Sequence, residues 1–182
     1  SIFIIFQSNI YLINYFGDKS AVGIYAVALS FAAIAGLFKD GIVKTFNPWL
    51  YKKLSNKTED FRREIIKNIL FISIVLIILA FFVNFISSYL IFYIVDSKFL
   101  IAKDLILILC LSVSVNGIYN VLVPFFINSS KTKILSLVSV ISAIFSLICN
   151  YILISEYGNK GAAYSILLTL TFQLLLTIST LK

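Results

Sequence analysis

Lys39, Asp40 and Lys44 are the charged residues of a stretch, Ala21 to Phe46, that is otherwise almost wholly apolar. Asp40 and Lys44 are four residues apart, so on a helix they share a face and can pair. Two lysines in such a place are cations for an anionic headgroup, and the carboxylate beside them is a candidate to carry a proton or bind a cation. The plainer alternative is an ion-paired helix end whose ammonium groups snorkel to nearby headgroups, because an ionisable side chain at a bilayer centre costs about 2.5–3.5 kcal/mol. Asn116 and Asn120 are also four apart, with Tyr119 between them, and Gln7, Tyr11 and Asn14 recur at helical spacing in a run that also holds Asn9. Amides and phenols in apolar helices turn from lipid toward a partner, either another helix as packing glue or a wet cavity.

Other chemistry is poorly supplied. The chain has no histidine, which removes the commonest general base and metal ligand. Cys110 and Cys149 lie inside apolar runs without CxxC or Cys/His spacing and read as packing residues. No catalytic residue, metal or cofactor is expected, and the chain is not expected to be an enzyme.

The elements that carry these residues follow from composition. Hydrophobic residues make up 60% of the chain and charged ones 13%, with a mean hydropathy of +1.03, far more apolar than a soluble domain. An all-α integral membrane protein is expected. Six runs approach or exceed the length that crosses a bilayer, about 1–16, 21–46, 68–95, 104–127, 134–154 and 162–181. Ser1 lies directly inside an apolar run with no basic segment before it, which argues against a signal peptide and suggests that an upstream part is missing.

Pro48 to Lys67 is the long polar interruption and carries Lys52, Lys53, Lys57, Arg62, Arg63 and Lys67. Pro48 and Trp49 are expected to stop the second helix at the interface. Asn56 and Glu59 resemble a capping box, so a cytoplasmic amphipathic helix is expected within about 51–67. With that segment inside, the inner side holds nine basic residues, including Lys131, Lys133 and Lys182, against Lys19, Lys98, Lys103 and Lys160 outside. Both ends of the segment should face the cytoplasm. The same pattern explains the net charge of +7 without nucleic acid. Near the end, Gly158 suits a left-handed helix terminus, and Gly161-Ala162-Ala163 lets the last helix approach a neighbour, together giving a tight outer hairpin.

Val22-Gly23-Ile24-Tyr25, Asn47-Pro48, Ser130-Lys131-Thr132-Lys133 and the Asn150 to Ala163 hairpin together resemble the C-terminal half of Wzx-type O-antigen flippases. These share a superfamily with multidrug exporters and lipid II flippases. The resemblance implies six transmembrane helices forming one lobe of a two-lobe transporter in the bacterial cytoplasmic membrane. The missing N-terminal lobe, membrane lipids and, beyond the protein, polysaccharide polymerase and chain-length proteins would be its partners. Its substrate would be an undecaprenyl-diphosphate-linked oligosaccharide passed by alternating access. Gln7, Asn9, Tyr11, Asn14, Asn116, Tyr119 and Asn120 would meet sugar hydroxyls, Lys39 and Lys44 the diphosphate, and Asp40 a coupling ion. The chain departs from the family where Ser8-Asn9-Ile10-Tyr11 replaces an acidic-basic pair and where Ser155 replaces proline. Three other readings stand beside this one: drug or cation export within the same superfamily, a polytopic polymerase, and a membrane scaffold that transports nothing.

Overall fold

The computed structural model describes residues 2–17, 19–55, 61–94 and 97–181. Five α-helices follow one another: α1 (Ile2–Phe16), α2 (Lys19–Ser55), α3 (Phe61–Ile94), α4 (Lys103–Asn128) and α5 (Thr132–Ser179), with a 3-10 turn, Ser97–Ala102, leading into α4. There is no strand among the described residues. Four of these helices, α2 to α5, are long and apolar enough to cross a membrane, which makes the chain an all-α, multi-pass membrane protein.

α5 is two helices in one. Gly158 has φ 54° and ψ −128°, a conformation that costs a side-chain-bearing residue heavily and glycine little. The chain reverses there. Phe145 stacks on Phe172 with ring centroids 4.3 Å apart, and a Cβ on Gly161 would lie 1.9 Å from the Leu153 carbonyl oxygen. The limbs, 132–157 and 159–179, therefore lie antiparallel, and only glycine at 161 lets their backbones meet. Asn159 Nδ2 donates to Ala21 O at 2.9 Å and Lys160 pairs with Asp104 at 3.2 Å, so the tip of the hairpin is tied to the starts of α2 and α4. The expected hairpin is present, with each limb carried closer to the turn than the apolar runs suggested.

α4 is the axis of the bundle. More than half of its apolar stretch is buried, against about a quarter in α2, α3 and α5. Its inward side carries Ser112, Ser114, Asn116 and Gly117, while α3 turns Phe71, Phe81, Phe82 and Phe85 outward. This is the arrangement a bilayer selects: large apolar groups lose nothing by facing acyl chains, and small or polar residues let helices approach and bond. Ser114 Oγ donates to Leu76 O of α3 at 2.6 Å.

Two expectations about the inner polar stretch are corrected. α2 does not stop at Pro48 but runs on to Ser55, with Pro48 inside it. Proline removes one backbone hydrogen bond, and that loss is offset where Leu50 and Leu54 of the same helix are buried against Ile65 of α3. Residues 51–55 are thus the last turn of α2 and 61–67 the first turns of α3, rather than parts of one separate amphipathic helix. The proposed Asn56–Glu59 cap lies outside the described residues.

Candidate functional site

Buried polar side chains gather at two places. The first joins α1 to α2 and the hairpin. Asn9 is fully buried, and its Nδ2 donates to Tyr25 Oη at 3.1 Å and to Ala162 O at 3.2 Å. One residue earlier, Ser8 Oγ accepts from Asn150 Nδ2 at 2.9 Å, and Asn150 reaches Ser146 Oγ at 3.4 Å as well. Helical spacing explains the grouping. Ser142, Ser146 and Asn150 lie four apart on the first limb and are all buried, and Thr169, Gln173 and Thr177 form the same kind of stripe on the second.

The second gathering is around Lys39. Its Nζ pairs with Asp40 Oδ1 at 2.6 Å and donates to Asn116 Oδ1 at 3.4 Å. Asn120 Nδ2 donates to the same Asn116 oxygen at 3.3 Å. The stem of the lysine crosses Gly117, where a Cβ would meet Lys39 Cγ at 2.7 Å and Leu76 Cδ1 at 2.9 Å. Any larger residue there would push the lysine aside. Lys39 and Asn116 form part of the wall of a cavity of about 360 Å³ with Asp40, Ala32, Gly36 and Leu170.

The level of this site along the bundle corrects an expectation. Because α2 continues to Ser55, Lys39 lies about 30 Å from Lys19 and about 24 Å from Ser55 along the helix, at roughly 1.5 Å per residue. Asn116 is midway along Lys103–Asn128, and Leu76 is near the middle of Phe61–Ile94. Lys39 is therefore at mid-bundle, not at a helix end within easy reach of headgroups. On α2 it falls between the large apolar cluster containing Ala32 and Ala35 and a smaller one containing Val43 and Leu76, so the core is broken at its level.

The second correction is its partner. Asp40 pairs with Lys39 rather than with Lys44. An ammonium buried between α2, α3 and α4 needs a counter-charge far more than an exposed one does, and Lys44 is exposed. Lys44 shares Asp40's side of α2 one turn further on, outside the cavity wall.

The remaining candidates divide. Asn116 and Asn120 join Lys39 and Asp40. Tyr119 is buried, at 9% exposure, but does not line the cavity. Asn9 belongs to the first gathering. Tyr11 and Asn14 are exposed on the opposite side of α1 from Asn9, as two and five residues at 100° each require. The side chain of Gln7 lies outside the described residues. One shared hollow lined by the whole polar set of α1 and α4 is therefore not what the fold builds. Sequence reading missed Tyr25 as the partner of Asn9, and Ser8 and Ser146 as partners of Asn150; for Ser146 and Asn150 the i, i+4 stripe of their apolar run was the signal. It also missed Gly117 as the residue that makes room for Lys39, which no spacing marks.

The two places differ in what they can do. The first is bonded between helices and carries no charge, although Asn9 Oδ1, Asn150 Oδ1, Ser142 Oγ and Thr169 Oγ1 there are buried without a partner. The second holds an ammonium, a carboxylate and amides beside open volume, and one donor there has no partner: Asn116 Nδ2 is buried without a hydrogen bond. Such an orphan costs about 1–3 kcal/mol. The arrangement suits an oxygen-rich, anionic ligand. Against known proteins, the chain matches no family model, no curated protein and no solved structure.

Proposed function

We propose that this chain is one lobe of a membrane transporter that passes an anionic, sugar-bearing lipid between leaflets, as the likeness to polysaccharide flippases implies. The observation that carries the reading is Lys39, a buried cation at mid-bundle facing a cavity. Ionisable residues at that depth are costly and mark substrate or ion pathways. A diphosphate cannot enter hydrocarbon unaided, and a fixed ammonium with amide donors halfway across would give it an intermediate stop, its lipid tail remaining in the bilayer. Undecaprenyl-diphosphate oligosaccharide, flipped across the bacterial cytoplasmic membrane, is the substrate of that kind.

In this reading the chain crosses the bilayer six times, with α1 and the two limbs of α5 counted separately. The limbs at 132–157 and 159–179 each exceed the roughly 20 residues a crossing takes. α1, at 15 residues, is short for one. Lys52, Lys53, Arg63, Lys67, Lys131 and Lys133 cluster at the end where Leu54, Ile65, Phe125 and Ile178 line a common groove, and that end faces the cytoplasm. The exposed Tyr11 and Asn14 lie on a seam with a second lobe.

Export of cationic drugs is the competing reading within the same superfamily. That reading would use the exposed Asp40 carboxylate of the same wall, whereas the donors of Lys39 and Asn116 suit an anion. Export of lipid-linked oligosaccharide by cells carrying Lys39→Gln, measured beside the amount of protein in the membrane, tests the proposal. The expected result is a fall of about tenfold or more, because a bond to a charged group contributes about 1.5–3 kcal/mol. Unchanged export at equal protein level would overturn it, and retained export of a cationic dye would favour the drug reading.

A further inference from the structure

We propose that the Asp40 carboxylate is an exchangeable stand-in for an oxyanion of the transported headgroup, which on binding takes Asp40's place at Lys39 Nζ and is completed by Asn116 Nδ2. This rests on the transport reading above and adds to it how the site is held when no substrate is bound.

Three features carry it. The ion pair is unequal: the Lys39 side chain is 11% exposed and that of Asp40 is 51% exposed. The cation is locked in place, whereas the carboxylate has somewhere to go. The pair is also formed by adjacent residues, whose side chains leave a helix about 100° apart and do not face each other. Asp40 reaches back to Lys39 without being aimed at it by the helix, so nothing in the backbone opposes its departure.

The third feature is the unpartnered Nδ2 of Asn116, a residue 6% exposed and in the wall of the same cavity. Turning the amide over does not rescue it. Lys39 has only N–H groups to offer, so the Asn116 oxygen must face the ammonium and the amino group must point elsewhere. An acceptor oxygen entering the cavity would take a charge-assisted bond from Nζ and, as the now covered amide of Asn116 turns toward it, a second from Nδ2. Asp40 makes only the first of these. Ala32, Ala33 and Gly36 keep the adjoining wall of α2 low, which leaves space for a phosphate-sized group. No covalent bond is made or broken: the carboxylate swings to the exposed side, where water solvates it, and one oxyanion of the ligand takes its place at Nζ.

The intact protein in neutral phosphatidylcholine nanodiscs tests this by calorimetry, with farnesyl diphosphate and inorganic pyrophosphate as probes. Asp40→Asn removes the internal competitor and should bind farnesyl diphosphate about two- to fivefold more tightly than the wild type, the partly exposed pair being a modest competitor. Lys39→Gln and Asn116→Leu should lose binding, and Lys39→Arg should recover part of it. Tightening with both probes assigns recognition to the diphosphate alone; tightening only with farnesyl diphosphate assigns it to the diphosphate as borne by a lipid. Either outcome supports the exchange. Equal or weaker binding by a monodisperse Asp40→Asn protein overturns it, and Asp40→Ser serves the same purpose if Asp40→Asn does not fold. Export measured on the same proteins separates the two claims. If Lys39→Gln abolishes export but Asp40→Asn binds no tighter, only the exchange fails; if Lys39→Gln exports normally, the transport reading itself fails.

Discussion

The polar group that ties α1 to the hairpin and the one around Lys39 contain similar side chains in similar surroundings, yet they are built for different ends. In the first, Asn9, Tyr25, Asn150 and Ser8 bond to one another or to backbone across three helices, and no cavity adjoins them among those described. Both leave buried polar atoms unmatched, but only in the second do a charged pair, Lys39 and Asp40, and the amide of Asn116 border open volume. Buried amides alone therefore do not mark a site in a membrane helix. What separates site from glue is a fixed charge with room beside it.

Damage to the closed group should show in folding, and damage to the open one in binding. The largest expected effect is on the hairpin that supplies Ala162 to Asn9. Gly161→Val would drive a side chain into the backbone at Leu153, where neither chain can yield, and we expect almost no folded protein by fluorescence-detected size exclusion. Gly158→Val, at a positive φ with open space around it, should be milder, lowering stability by about 1–3 kcal/mol.

Gly117→Ala comes next and acts on the open group. The added methyl would meet Lys39 Cγ and Leu76 Cδ1, and the lysine, with a flexible stem, is the partner that can move. Diphosphate binding should weaken by about tenfold, as when a charge-assisted bond worth about 1.5–3 kcal/mol is partly lost, with a change in melting temperature of only a few degrees. A collapse of folding without a specific binding defect would make Gly117 a packing residue and nothing more. Asn9→Leu is the mirror image. It removes two interhelical bonds, each worth roughly 0.6 kcal/mol in membrane proteins, so unfolding should become easier by about 1–2 kcal/mol while binding per folded molecule stays near that of the wild type. A large binding defect there would erase the distinction between the two groups.

Much of this was legible in the sequence. Apolar length announced a helical membrane protein, and Gly158 and Gly161 announced the hairpin, because a turn and a close backbone approach leave local marks. Lys39, Asp40, Asn116 and Asn120 were all candidates before their convergence was known. Their convergence was not legible, since it depends on which faces of α2 and α4 meet. The division of the α1 residues was hidden for the same reason: Asn9 and Asn14 are both amides in one apolar run, and only packing against Tyr25 and Ala162 sends one inward. Pro48 misled because a local breaker was outweighed by the burial of Leu50 and Leu54 beyond it.

The smallest effect is expected at Lys44, and it tests how the open group differs from an ordinary surface charge. Lys44 follows Asp40 by one turn on the same side of α2, toward the basic end, but is exposed and outside the cavity wall. In the proposed transport, its part can only be to draw an anion toward Lys39. Exposed charges act through water and are screened over about 10 Å at 0.1 M salt. Lys44→Gln should therefore slow diphosphate association by about two- to threefold at low ionic strength, and this difference should vanish by about 0.5 M salt. The defect of Lys39→Gln should persist at that salt, because Nζ is shielded by α3 and α4 and, in the proposed site, bonds the headgroup directly. Equal salt sensitivity of the two variants would mean that Lys39 also acts from a distance, and the cavity would lose its standing as the place where the headgroup stops.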